Sequence, residues 1–505
     1  MKGLRSQERV ALDGTVPATD GAQSRTPSVA RGVRRGVSWK FLSQAVSLAL
    51  QLATTVVLAR LLTPHDYGLA AMVLIFRRVV MIFSDFALTP ALVQRPVLTE
   101  KDRSTAFWTS IGLGTGFTLV GIALSAAIAA LYGEPDVEPL FMAFSFSFLL
   151  LSLGATQAAL LTRDLEFRSL EIRNIIGAIV GSVLAVVLAI RGFGPWAIVS
   201  QPLATFGTST ILLWLFSAWR PTLAFSAASA RGFIGFSGNV FGNQVLTYLT
   251  SNLDNFLVGR FLGPASLGAY RLSYNLVIYP LSNLSGPIVS VLFPAFSRMT
   301  GDRDRLISGY LRASRLIVAI TLPLFLLIII AIPDFVPVVL GSKWSDTTTV
   351  IQVLAWLGIL QSLRALNTAI LQASDRTGLL LRIALAGLPV YVLGFAVGLH
   401  WGIVGVALGA TIAASIIQPL YTIASARILE IRSLEVIYQC RRVILVAAGS
   451  LGVGLLLRYV LVALDVPAAA RLLALVVAFV LVYATLVLAA EPRLRHEVRW
   501  FRGRA

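Results

Sequence analysis

Stretches of about twenty apolar residues, the length a helix needs to cross a bilayer, recur along almost the whole chain, separated by short polar breaks. Fourteen such windows can be laid out, near 37–59, 68–90, 106–131, 139–161, 173–190, 194–218, 233–258, 267–294, 313–333, 347–372, 379–399, 401–426, 442–463 and 470–490. The pattern predicts an all-α polytopic membrane protein of about 14 transmembrane helices. Pro280, Gly286, Pro287, Pro323 and Pro389 fall inside windows and predict kinks rather than breaks.

A repeat underlies this pattern. The stretch "VVLARLLTPHDYGLAAM" (56–72) returns as "FLVGRFLGPASLGAYRL" (256–272), so that Arg60, Pro64 and Gly68 correspond to Arg260, Pro264 and Gly268 at one fixed offset. Each copy runs an apolar segment into Arg, crosses a turn and restarts at Pro, which describes a helix hairpin. Thr63 is placed as N-cap, Pro64 at the first helical position and Asp66 at the third, an acidic variant of the capping box.

The windows therefore divide into a six-helix lobe over 37–218, a linker over 219–232, a second six-helix lobe over 233–426, and two further helices over 427–490. An even number of spans per lobe makes the two copies parallel repeats about an axis along the membrane normal. Residues 1–36 are polar and lack an apolar core, and read as a disordered basic tail; residues 491–505 form a second basic tail.

Composition agrees: 57% of residues are hydrophobic and 13% charged, with a mean hydropathy of +0.81. Charge adds the orientation. Thirty-two of the 42 Lys and Arg fall in the first forty residues, the even-numbered loops or the last tail, which predicts that both termini are cytoplasmic. The net charge of +18 is then mostly topology. It is spread over many short loops rather than gathered on one face, which argues against a nucleic-acid partner.

Polar residues inside the windows are the candidate chemistry. Lys40, Gln44, Ser47, Gln51 and Thr54 share one face of the first helix, and Asn239, Asn243, Thr247, Ser251 and Asp254 repeat the device in the seventh. Two readings stand: the stripes line a cavity, or they join helices through hydrogen bonds. In the second window Arg77 and Arg78 lie about 13 Å deep at 1.5 Å per residue, with Asp85 two turns on from Arg78. They form either an internal Arg–Asp pair or an anion site, since Arg holds phosphate oxygens in a bidentate manner. Arg364 is a further intramembrane cation, and Arg458, flanked by leucines, is expected to snorkel or pack.

Catalytic chemistry is hard to find. The single cysteine, Cys440, leaves no thiolate cluster, His65, His400 and His496 have no ligand spacing, and no phosphate-cradling Gly-rich loop is present. No catalytic residue, metal or cofactor is therefore assigned, and the repeat points to a secondary carrier.

The junction "LARLLTPHDYGLAAM", the six-plus-six-plus-two layout and "GIVGVALGATIAAS" (402–415) resemble the polysaccharide transporter branch of the multidrug/oligosaccharidyl-lipid/polysaccharide flippase superfamily, the Wzx-type flippases. The resemblance covers almost the whole chain. It implies a V-shaped carrier of the bacterial inner membrane with a central cavity lined by helices 1, 2, 7 and 8. That carrier would move undecaprenyl-pyrophosphate-linked oligosaccharide repeat units for exopolysaccharide, capsule or O-antigen synthesis, beside a polysaccharide polymerase and export machinery. The counterparts of Arg77 and Arg78 in the second copy are Val277 and Ile278, so a cationic site would be asymmetric. A lipid II flippase is the closest competing reading. A multidrug exporter fits two deep arginines poorly, and a glycosyltransferase or polymerase fits poorly with a longest outer loop of about a dozen residues near 334–346.

Overall fold

A computed structural model describes residues 26–86, 92, 98–227, 229, 230, 248, 252–299 and 301–490, without the side chains of 26–38, 41, 83–86, 279–291, 293 and 295. Among the described residues every regular element is a helix. The first, α1 (Thr26–Leu61), takes in residues 26–36 of the stretch read as a tail.

Across the turn at Leu62 and Thr63, α2 (Pro64–Leu74) begins on the capping box expected of the sequence. The Thr63 hydroxyl accepts from the Asp66 N–H at 3.2 Å, and the Asp66 carboxylate accepts from the Thr63 N–H at 2.9 Å. The second span is then interrupted without Pro or Gly. The Phe76 N–H reaches back only three residues, to the Val73 carbonyl at 3.1 Å, and the helix restarts as α3 (Arg77–Phe86). Four long helices complete the first half: α4 (Glu100–Tyr132), α5 (Val137–Arg163), α6 (Phe167–Ile190) and α7 (Pro195–Phe216).

The second half opens with α8 (Leu253–Met299), kinked at Gly263, where φ is +81°. Only glycine adopts that conformation freely, so Gly263 lets the second junction turn without a separate loop. Next come α9 (Arg303–Phe335), prolonged by a π-helical turn over Val336–Leu340, and α10 (Thr347–Ser362) and α11 (Arg364–Ala373), which split the tenth window at Leu363. The chain closes with α12 (Thr377–Gly398), α13 (Gly402–Leu429), α14 (Ser433–Ala463) and α15 (Ala468–Ala490). Ten helical stretches among the described residues are long and apolar enough to cross a membrane, and one of them, Thr377–Leu429, holds both α12 and α13.

With lipid outside as apolar as the side chains within, close backbone approach does the work of joining helices. A Cβ on Gly181 of α6 would lie 2.6 Å from the Gln201 carbonyl of α7. In the second half, a Cβ on Gly409 of α13 would lie 2.1 Å from the Gly394 carbonyl of α12. The glycines of "GIVGVALGATIAAS" thus serve one hairpin, at the place where α6 and α7 serve the other. Helices α14 and α15 pack on α9.

Candidate functional site

The two halves meet mainly through α2 and α8, with α1 against the π-helical turn and α4 against α8. These contacts gather at the end of the bundle that carries the repeated junctions. There the repeats touch each other: a Cβ on Gly68 would lie 1.7 Å from the Pro264 carbonyl oxygen, and one on Gly268 would lie 2.0 Å from that of Pro64. The glycines of the motif are the points where two backbones cross.

The motif arginines follow the same exchange. Arg60 of the first half donates to the carbonyls of Val338 and Val339, the latter at 2.7 Å. A Cβ on Gly133, in the turn after α4, would lie 3.6 Å from the Arg260 guanidinium of the second half. Each arginine reaches the turn that follows the third span of the opposite half. Trp344 is fully buried. Its indole N–H donates to the Ala59 carbonyl at 2.8 Å, and its ring meets Tyr67 edge-on at a centroid distance of 5.1 Å. Lys343 Nζ donates to the Arg60 carbonyl at 2.9 Å. Its partial burial draws the ammonium below the usual lysine range, Asp66 opposing this and Arg60 adding to it.

Deeper in, cations from both halves converge on tyrosines. Arg271, Arg78 and Arg77 all act electrostatically on the Tyr248 hydroxyl, and Arg271 and Arg364 act on that of Tyr274. Arg77, Arg78 and Arg364 are exposed, and the Arg364 guanidinium lies over the Tyr421 ring, 5.5 Å from its centroid. Arg77 and Arg364 each open a restarted helix, directly after the interruptions at Phe76 and Leu363.

Asp254 takes another role. It is 6% exposed, accepts from the Tyr270 hydroxyl at 2.9 Å, and accepts from the Asn255 backbone and side-chain amides at 2.8 and 3.1 Å. This carboxylate ties the seventh span to the eighth. Gln44 is exposed, whereas Ser47, Gln51 and Arg77 line a cavity of about 410 Å³ inside the first half. Asn239, Asn243 and the Asp85 side chain lie outside the described residues.

A family model described as "Polysaccharide biosynthesis protein" matches residues 57–349, from the end of α1 to the start of α10. The chain belongs to this family. Among relatives, it is 27% identical over 394 residues to the lipopolysaccharide biosynthesis protein WzxC of Escherichia coli (strain K12), covering 77% of this chain and 79% of that one. It is 27% identical over 332 residues to the succinoglycan biosynthesis transport protein ExoT of Rhizobium meliloti (strain 1021), covering 65% and 67%. Of solved structures, lipid II flippase MurJ in an inward closed conformation superposes with a TM-score of 0.71 at 14% identity, over 91% of this chain and 99% of that one. A multidrug resistance MATE family transporter of the MOP superfamily, inward-facing, does so with 0.60 at 16%, over 76% and 94%. These likenesses fix the fold, a multi-pass membrane protein of that superfamily's architecture.

Arg458 does not snorkel: its Nε lies 3.3 Å from Asp334 Oδ2, while Arg471 holds Asp334 Oδ1 at 2.7 Å. Asp334 is 1% exposed, so this triad clamps α14 and α15 onto α9. Arg271 sits near the start of the apolar window over 267–294, where the pattern gives it no special mark. In the fold it lies in α8, eight residues past the kink at Gly263.

Proposed function

We propose that the protein is a secondary carrier, a flippase, that moves undecaprenyl-pyrophosphate-linked oligosaccharide repeat units across the inner membrane. Membership of the polysaccharide biosynthesis family is the observation that carries this reading. Relatives named for lipopolysaccharide biosynthesis and succinoglycan transport support it.

The structure supplies a physical route. A diphosphate-linked sugar head is too costly to drag through hydrocarbon. Arg77, Arg78, Arg271 and Arg364, contributed by both halves, offer the head a cationic wall. For the tail there is an apolar groove of about 280 Å³ at the seam of the halves, between Leu52 of α1 and Leu276, Leu327, Ile332 and Leu472 of the second half. With Lys and Arg retained inside, both termini are cytoplasmic and the closed junction end faces the periplasm. The state described here then receives its load from the cytoplasm, and rocking the halves apart at the junctions releases it. With the inside negative, each net negative charge carried outward gains about 2.3 kcal/mol per 100 mV.

The lipid extract of a deletion strain tests the assignment. Accumulated sugar-linked polyprenyl diphosphate is the expected result. An extract unchanged in that lipid, or one accumulating only the peptidoglycan precursor, would overturn it.

A further inference from the structure

Besides the face between the halves, the first half has an interior of its own. Helices α1, α3, α5, α6 and α7 enclose the 410 Å³ cavity, a volume within the usual range of about 300–1,000 Å³ for small-molecule sites. Two cations reach it, Arg77 from the restart of the second span and Arg173 from α6. The remaining polar lining is neutral, with the amides of Gln51, Asn174 and Gln201 and the hydroxyl of Ser209 among it. Among the described residues no carboxylate lines the cavity. Glu171, beside it on α6, accepts from Asn174 Nδ2 at 3.2 Å and also acts on Arg173.

Arg173 is the telling residue. Its Nε is buried and has no hydrogen-bond partner among the described residues. A buried guanidinium donor left unmatched is costly, and an arginine in a donor-rich chamber matches one kind of ligand, a planar or tetrahedral oxyanion that accepts from several N–H groups at once. The Nε atoms of Arg103 and Arg315 are also buried without a partner, but those guanidiniums bond through another nitrogen, Arg103 Nη1 to Glu100 Oε1 at 2.8 Å and Arg315 Nη2 to Gln439 Oε1 at 3.3 Å.

We propose that this cavity is an oxyanion site, holding a phosphate or sugar-carboxylate group between Arg77 and Arg173. It deepens the flippase reading, since such a group belongs to a charged saccharide load, but the site is defined by its own chemistry. A load with an acidic sugar would be sorted from a neutral one inside the first half, on a site that shares Arg77 with the cationic wall between the halves and adds Arg173.

The test uses the purified full-length protein in detergent, titrated calorimetrically at constant ionic strength with inorganic pyrophosphate and, separately, with glucuronate. Saturable binding of one of them is expected, at least tenfold weaker in Arg173→Gln and in Arg77→Gln, partly restored in Arg173→Lys, and unchanged in the exposed-loop control Arg191→Gln. Pyrophosphate alone would assign the site to phosphate, and glucuronate alone to an acidic sugar. Binding equal to wild type in Arg173→Gln, or no saturable binding of either anion, overturns the proposal.

A second readout does not depend on ligand or on a folded Arg173→Gln. With Cys440 replaced, Ser209→Cys should react at least tenfold faster with an anionic than with a cationic methanethiosulfonate reagent, after normalisation to free thiol. Equal normalised rates would also overturn it. Neither experiment measures transport, so the flippase assignment stands or falls separately on the lipid extract.

Discussion

Arg60 donates through Nε to the carbonyl oxygen of Val339 at 2.7 Å, linking the end of the first span to the turn after the ninth across 279 residues of sequence. Alternating access requires such links to break together. The exchange of contacts between the two junctions gives the bundle one closed end whose opening would separate α2 from α8.

The crossing at the glycines is the least forgiving part of that closure. A methyl on Gly268 would meet the Pro64 carbonyl at 2.0 Å, and backbone cannot yield as a side chain does. Gly268→Ala should therefore hold the junction end apart. In a Cys440→Ser background, Ala59→Cys, buried under Trp344, should be inert to a membrane-impermeant thiol reagent in cells and labelled at least several-fold faster once Gly268→Ala is added. Labelling that stays low would show that α2 and α8 part without strain at this crossing.

Arg60 offers a graded version of the same test. Hydrogen bonds from a charged group contribute about 1.5–3 kcal/mol each when sheltered, and the exposure of this one places it at or below the lower end. Arg60→Lys keeps one donor direction and Arg60→Ala keeps none, so labelling of Ala59→Cys should rise in the order wild type, Lys, Ala. Identical labelling in all three would remove Arg60 from the closure.

The Asp334 triad is expected to matter for stability. Removing one partner of a buried pair costs about 3–5 kcal/mol because a charge is left alone. Asp334→Ala should lower the thermal midpoint of the detergent-solubilised protein by several degrees, and Asp334→Leu combined with Arg458→Leu and Arg471→Leu should recover most of it. A midpoint unmoved by Asp334→Ala would mean that α14 and α15 hold to α9 by apolar packing alone.

Orientation is open to a direct check. Reporter fusions after residues 135 and 343 should report the periplasm, and fusions after 165, 303 and 432 the cytoplasm. A cytoplasmic signal at 135 would invert the assignment of the closed end.

The parts of this structure that the sequence made legible are those written in local pattern. The apolar windows marked the helices, and the repeat marked both junctions down to the Thr63–Asp66 cap. What the pattern concealed is long-range or sub-window. A window of about twenty apolar residues averages over a single skipped hydrogen bond, so the interruptions before Arg77 and Arg364 left no trace. For Arg458 the sequence could not choose between snorkelling and packing because its partner Asp334 lies 124 positions away. The polar stripe of the first helix read as one surface, yet Gln44 is exposed while Ser47 and Gln51 line an interior. For Asp254 the spacing left cavity lining and helix joining both open, and its bond to Tyr270 is of the second kind. Spacing shows which residues share a helix face, and only packing shows what that face meets.

The central claim is that the diphosphate of a lipid-linked oligosaccharide crosses on the cations shared by the two halves. The most direct measurement is flipping in proteoliposomes of a fluorescent polyprenyl-diphosphate oligosaccharide, read as the fraction reached by a membrane-impermeant quencher. Wild-type protein should equilibrate the lipid between leaflets, faster when the destination side is positive, and Arg78→Gln and Arg271→Gln should each slow it about tenfold or more, the loss of one or two charge-assisted contacts. Wild-type vesicles no faster than protein-free ones, or neutral variants as fast as wild type, would contradict the account.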